Sequence, residues 1–165
     1  MPFTPPLFKK IVITMTKKHL TTSLTPELYC SNIKTSLSFY MEILGFRIQY
    51  QREEDGFAML ERQGARIMLD ELPKNFPSET KRTWISGTLE TPFGRGLNLE
   101  IKTDKINDLY DRIQQSKAPI FLSIEDKWYR ANEFEIGVRQ FIVLDPDGYM
   151  LRFSEDIGER RAVVR

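Results

Sequence analysis

The chain has 165 residues, 41% of them apolar and 28% charged, with 24 basic against 23 acidic side chains. That suffices for one packed core and not for two, and the interleaved charge leaves no single-sign face for nonspecific nucleic-acid binding. The one cysteine, Cys30, excludes an internal disulfide and fits a reducing cytoplasm, and no apolar run approaches the ~20 residues of a bilayer-spanning helix.

In chain order, residues 1–22 read as a flexible N-terminal arm: MPFTPPLFKKIVITMTKKHL has two lysines before IVIT, a run shorter than the roughly 7–15 residues of a signal-peptide core. Met15 is an alternative first residue. PELYCS (26–31) reads as a strand, followed by a helix with Ile33, Leu37, Tyr40, Met41 and Leu44 on one face, Asn32 as its N-cap and Gly45 as its stop. Hairpin material follows in FRIQYQRE, FAMLER and ARIMLD. Residues 73–95 form a linker whose tip, Asn75–Arg82, is expected to be mobile. GLNLEIK (96–102) alternates strictly, and the next helix carries Ile106, Leu109, Tyr110 and Ile113 inward with Asp104 as cap. PIFLSI, VRQFIVL and YMLRF complete the second half, before a tail at 161–165.

The same order, strand–helix–strand–strand–strand, thus occurs twice, in units of about 23–72 and 96–156 within a single domain spanning 23–160. Aligning the halves pairs Ile33 with Ile106 and the turn ERQG (61–64) with DPDG (145–148). Asp145 and Asp147 therefore read as a turn, where proline presets φ, glycine accepts positive φ and aspartate bonds its own backbone, and not as a catalytic carboxylate pair. Cys30 shares the alternation phase of Leu28 and reads as an inert buried thiol. His19 is the sole histidine and lies in the arm, so histidine-based nucleophilic catalysis has no partner in the domain.

Three stretches, WISGTLETPFGRGLNLEIKT (84–103), EDKWYR (125–130) and VRQFIVLDPDGYMLRFSEDIGER (138–160), resemble the vicinal oxygen chelate superfamily, which groups glyoxalase I, extradiol dioxygenases, fosfomycin-resistance enzymes and bleomycin-resistance proteins. The joint occurrence of PFGRG, KWYR and RQF…DPDGY is similar to the bleomycin-resistance-like branch. The resemblance implies an α+β fold of two βαβββ units that form a cup-shaped mixed sheet with helices on the outside. It further implies that the positions which hold a divalent ion in metal-dependent members fall here on Thr25, Met68, Asn98 and Arg152. A guanidinium repels a cation and the others are not the imidazole or carboxylate ligands such ions take, so no metal, no cofactor and no catalytic residue is expected.

On GLNLEIK, Leu97, Leu99 and Ile101 turn under the helix and leave Asn98, Glu100 and Lys102 on the opposite face; by the repeat, Thr25 and Glu27 face the same way. The expected ligand-binding residues are Glu27, Asn98 and Glu100, with Arg152 as counter-charge, walled by Trp84, Phe93, Trp128 and Tyr129 from the long connections. Purely structural pairing of the acids with Arg152 competes with this reading. The expected function is sequestration of a cationic or aromatic small molecule, of the bleomycin-like class if the resemblance holds, by a cytoplasmic homodimer with no nucleic-acid or membrane partner. Two alternatives stay open: a metal-free lyase or isomerase with Glu27 or Glu100 as general base, and a metabolite-binding module.

Overall fold

A computed structural model of the protein describes residues 24–78 and 84–162. The expected N-terminal arm with Met15 and His19, part of the linker tip and the last three residues lie outside the described residues. Strand β1 (Glu27–Cys30) leads to helix α1 (Ile33–Ser38), then β2 (Arg47–Arg52), β3 (Phe57–Arg62) and β4 (Ala65–Glu71); β5 (Asn98–Lys102) leads to helix α2 (Ile106–Ser116), then β6 (Ile120–Ala131), β7 (Phe134–Leu144) and β8 (Met150–Arg161). The two βαβββ units form two four-stranded mixed sheets, ordered β1-β4-β3-β2 and β5-β8-β7-β6. In each, the first strand pairs parallel to the last, with Glu27 opposite Met68 and Glu100 opposite Arg152.

Alternation decides which face of each sheet meets the helices. Leu28, Cys30, Ala58, Leu60, Ile67 and Leu69 from the first sheet and Ile101, Phe141, Val143, Leu151 and Phe153 from the second join Leu44, Ile106, Leu109 and Ile113 in one core. The opposite, open face of each sheet is exposed in part: Tyr50 and Tyr129 on it are exposed, while Phe57, Gln140 and Ser154 are buried. Cys30 is buried, and burial pushes its thiol up to about 12, as an inert thiol requires.

The first helix departs from the simple heptad reading. After Ser38 it widens into a π-helical turn, Phe39–Ile43, which adds a residue to the turn; Phe39 and Tyr40 are buried in succession and Met41 is rotated to the exposed side. Asn32 caps α1 as expected, its Oδ1 accepting from Thr35 N at 3.0 Å. Asp104 does not cap α2: the residue before that helix is Lys105 at φ 54°, and the Ile106 N–H is met instead by Glu155 Oε2 at 3.1 Å. The same device serves α1, where Ile33 N donates to Glu71 Oε1 at 3.2 Å. Glu71 and Glu155 occupy equivalent positions in the repeat.

The units are locked together by their turns. Asp145 and Asp147 are 4% and 2% exposed. Asp145 Oδ1 accepts from the backbone of Asp147 (3.0 Å) and Tyr149 (2.8 Å), and its Oδ2 from the Tyr40 hydroxyl (3.0 Å). Asp147 Oδ1 accepts from Ser31 N at 3.0 Å, and its Oδ2 from Ser36 Oγ at 3.4 Å. The reverse crossing comes from ERQG: Gln63 Oε1 accepts from Asp104 N at 3.4 Å, and buried Arg62 donates to Thr103 Oγ1 at 2.7 Å. The DPDG carboxylates are thus structural, as turn chemistry predicts, and they also fasten one unit to the other.

Candidate functional site

The three stretches that carry the family resemblance turn out to contact one another. PFGRG packs on DPDGY: Phe93 N donates to Asp147 O at 2.8 Å, and a Cβ added to Gly94 would lie 2.6 Å from Gly148 O and 2.8 Å from Tyr149 N, so only glycine fits. EDKWYR pairs with VRQF across the β6–β7 ladder. Arg139 grips Asp126 with two bonds of 2.7 and 2.9 Å, and Gln140 Nε2 donates to Glu125 Oε1 at 2.9 Å and to the Tyr129 hydroxyl at 2.8 Å. Joint occurrence of the motifs in the sequence follows from their joint packing.

On the open face of the second sheet, Glu100 is a fully engaged carboxylate. Its Oε2 accepts from Arg152 Nη2 at 2.8 Å, its Oε1 from Ser154 Oγ at 2.7 Å, and Lys102 Nζ stands 3.8 Å away. Asn98, on the same strand, is exposed. Tyr129 joins this face through Gln140 and is 42% exposed. Arg152, Glu100, Gln140, Ser154, Glu125 and Tyr129 therefore form one polar layer. Gln140 went unnoticed in the sequence; the signal was available, since its neighbours Phe141 and Val143 fix the core phase and leave Gln140 on the other face.

The first sheet presents a different surface. Glu27 faces Asp70, with Tyr29 between them along β1 and Met68 opposite. Burial first, and then the Glu27 carboxylate, push the Asp70 carboxyl up to about 6, against which Arg52 acts weakly. Phe57 is buried under the Arg52 guanidinium at 3.9 Å and stacks with Tyr50 at 6.0 Å between ring centroids, which leaves exposed Tyr50 as an aromatic surface of this face that the sequence alone does not single out.

The four predicted aromatics do not converge. Trp84 is 89% exposed, and its backbone N–H donates to the Tyr29 hydroxyl at 2.6 Å. Phe93 packs against the core. Trp128 and Tyr129 lie on β6 and not in a connection, and alternation sends them to opposite faces. Trp128 stacks under Arg160 at 4.1 Å, where Gly137 across the ladder leaves room for its ring. A recess of about 380 Å³ on the flank of the second unit is lined by Asn107, Ile124, Glu125, Asp126 and Arg139 and holds none of the predicted ligand residues.

Thr25, Met68, Asn98 and Arg152 stand at the places the resemblance assigns to metal ligands, and among the described residues no group of three His, Cys, Asp or Glu side chains converges to hold an ion. A pair of open-faced βαβββ units with a motif-locked second sheet defines the class. Residues 18–153 match the sequence profile of the Glyoxalase/Bleomycin resistance protein/Dioxygenase superfamily, and the chain belongs to that superfamily. Bleomycin resistance proteins of Geobacillus stearothermophilus and Staphylococcus aureus are each 28% identical over 138 residues, covering 80% of this chain and 95% of theirs. Among solved structures, TioX from Micromonospora sp. ML1 superposes with a TM-score of 0.61 at 18% identity, over 83% of this chain and 100% of that one. A glyoxalase/bleomycin resistance protein/dioxygenase from Alicyclobacillus acidocaldarius superposes at 0.57 and 17% identity, over 86% and 96%. These last two likenesses are of fold.

Proposed function

We propose that this protein binds a small molecule of the bleomycin-like class on the open faces of its sheets and acts by sequestration, without metal catalysis. The observation that carries the reading is Arg152: a guanidinium anchored on Glu100 at 2.8 Å occupies a place where a metal-dependent relative needs an anionic or imidazole ligand. The relatives named as bleomycin resistance proteins give the ligand class. Glu27 and Asp70 offer negative charge to a cationic part of such a guest, and the exposed rings of Tyr50 and Tyr129 offer flat faces to planar rings.

Each sheet presents only half of a cleft. We place a second copy of the chain over the open faces, making a homodimer, and we place the protein in the cytoplasm on the reading of its single cysteine. No helix among the described residues is long and apolar enough to cross a membrane.

Calorimetric titration of the full chain with bleomycin tests this. Saturable binding near one equivalent per chain, weaker at higher salt and with the ligand recovered unaltered by mass spectrometry, is expected. Absence of saturable binding at high micromolar ligand overturns it. One observation favours a second reading: Asp70, poised at about 6 beside Glu27, has the proton affinity of a general acid–base. A metal-free lyase or isomerase would reveal itself as turnover that Asp70→Asn abolishes.

A further inference from the structure

Two polar atoms on the open face of the second unit are buried without a hydrogen-bond partner among the described residues, Gln140 Oε1 and Arg152 Nε. Gln140 is 3% exposed. Its amide is oriented from the other end, because Nε2 donates to both Glu125 and Tyr129; a flip would set its oxygen against the Glu125 carboxylate. Arg152 is fixed in the same way, by the bond from Nη2 to Glu100, which leaves the Nε–H unmet. In the β7–β8 register Gln140 is opposite Ser154 and Ile142 opposite Arg152, so the two side chains are diagonal neighbours on one face. A desolvated acceptor and a desolvated donor thus stand on one face, two positions apart along the β7–β8 ladder.

We propose that Gln140 and Arg152 form the polar end of the binding face and take a neutral group that donates and accepts at once, a carboxamide or a hydroxyl. This rests on the reading of the open face as the binding face. The charged alternatives each satisfy one of the two atoms and oppose the other. A carboxylate would accept from Arg152 but oppose its oxygen to that of Gln140, and an ammonium would donate to Gln140 but meet the guanidinium. Glu100 is met by Arg152 and Ser154, Lys102 Nζ bonds Asp156, and the Glu125 carboxylate stands beside Gln140 Nε2, so the selection for a neutral group rests on the donor–acceptor pair and not on the net charge of this end. An entering group has to displace the side-chain end of Tyr129, 42% exposed, at the cost of its 2.8 Å bond from Gln140.

The test is nuclear magnetic resonance on the full-length protein, following the Arg152 Nε–H and the Gln140 side-chain NH₂, assigned by their loss in Arg152→Lys and Gln140→Leu. Four probes of one size are titrated: benzamide, benzyl alcohol, benzoate and benzylammonium. Saturable shifts of both signals with benzamide or benzyl alcohol are expected, and the stronger of the two decides between carboxamide and hydroxyl. Affinity for that probe should fall about tenfold in either variant, the scale of one buried hydrogen bond; Arg152→Lys keeps the ion pair with Glu100 and serves if Gln140→Leu does not fold. Shifts as large with benzoate or benzylammonium, none with the neutral probes, or a persistent cross-peak to a bound water that neither displaces would overturn the proposal. Bleomycin calorimetry separates it from the wider reading. Binding unchanged in Gln140→Leu sinks the subsite alone, and neutral-probe shifts without bleomycin binding sink sequestration alone.

Discussion

The open faces of the two units carry a glutamate at the same register position and surround it with opposite electrostatics. Glu100 looks onto Arg152 and Ser154, which compensate it; Glu27 looks onto Met68 and Asp70, which do not. The duplicated backbone fixes where a side chain stands, and two substitutions in the last strand then decide whether a carboxylate is a partner in an ion pair or half of a strained acid pair. Geometry is inherited by the repeat, and chemistry is set locally.

The turns give the sharpest test of unequal roles at equal positions. Asp147→Ala removes the partner of the part-buried Ser31 N and of the buried Ser36 Oγ and should destabilise by about 2–3 kcal/mol. Gln63→Ala, the equivalent change at an exposed turn, should lose no more than about 1 kcal/mol. Denaturant titration of both variants checks this, and equal losses would break the asymmetry.

The glycines of the same turns differ by their neighbours. Gly148 (φ 87°) meets the Pro92 side chain, whereas a Cβ on Gly64 (φ 90°) meets nothing within 4 Å. Gly148→Ala should cost about 2–3 kcal/mol, strain plus overlap, against about 1 kcal/mol for Gly64→Ala. Thermal unfolding separates the two contributions.

A smaller effect is expected in the pH dependence. The Asp70 carboxyl is held at about 6 in the folded chain and titrates near its ordinary 3.8 once unfolded. Between those values the folded state binds more protons, so this group removes stability as pH rises from about 4 to about 6 and a constant penalty remains above. Asp70→Ser, which makes the first unit resemble the second, should be more stable at pH 7 by about 1 kcal/mol after solvent screening and equal to the parent near pH 3.5. Asp145, also at about 6 through burial, keeps its own slope in both proteins. Unfolding curves at pH 3.5, 5 and 7 are the measurement.

Smallest is the contrast between the glutamates that meet the first helical N–H groups. Glu71→Ala leaves α1 its Asn32 cap, but Glu155→Ala leaves α2 without a capping side-chain hydrogen bond among the described residues, so the second should cost about 1 kcal/mol and the first about half of that. A reversed order in urea midpoints would show that the caps act differently.

Much of this was legible in the sequence because one-sided burial writes itself as alternation. The strands around Leu28, Leu69, Ile101 and Phe153 and the two-fold register follow from that pattern alone. Where a strand has no buried face the pattern weakens: residues 125–131, 134–137 and 156–161 continue β6, β7 and β8 with charged residues set among the exposed Tyr129, Phe134, Ile136 and Ile157. Met41 was misplaced because a π turn breaks the 3.6-residue period. Asp104 was misplaced because a distant glutamate caps α2. The Glu27, Glu100 and Arg152 faces were readable from phase, but the partners Asp70 and Gln140, which decide their charge state, required the strand pairing.

The crossing bonds also set an order of events. Ser31 and Asp147 are separated by 116 residues and Tyr40 and Asp145 by 105, so the first unit emerges from the ribosome long before the turn that completes it. Until the last hairpin arrives, the β1–α1 corner holds an unmet N–H and a tyrosine hydroxyl facing the place of an absent carboxylate. Contacts of such sequence separation slow the closing of the native core, and a nascent first half keeps part of its polar framework unpaired until DPDG reaches it.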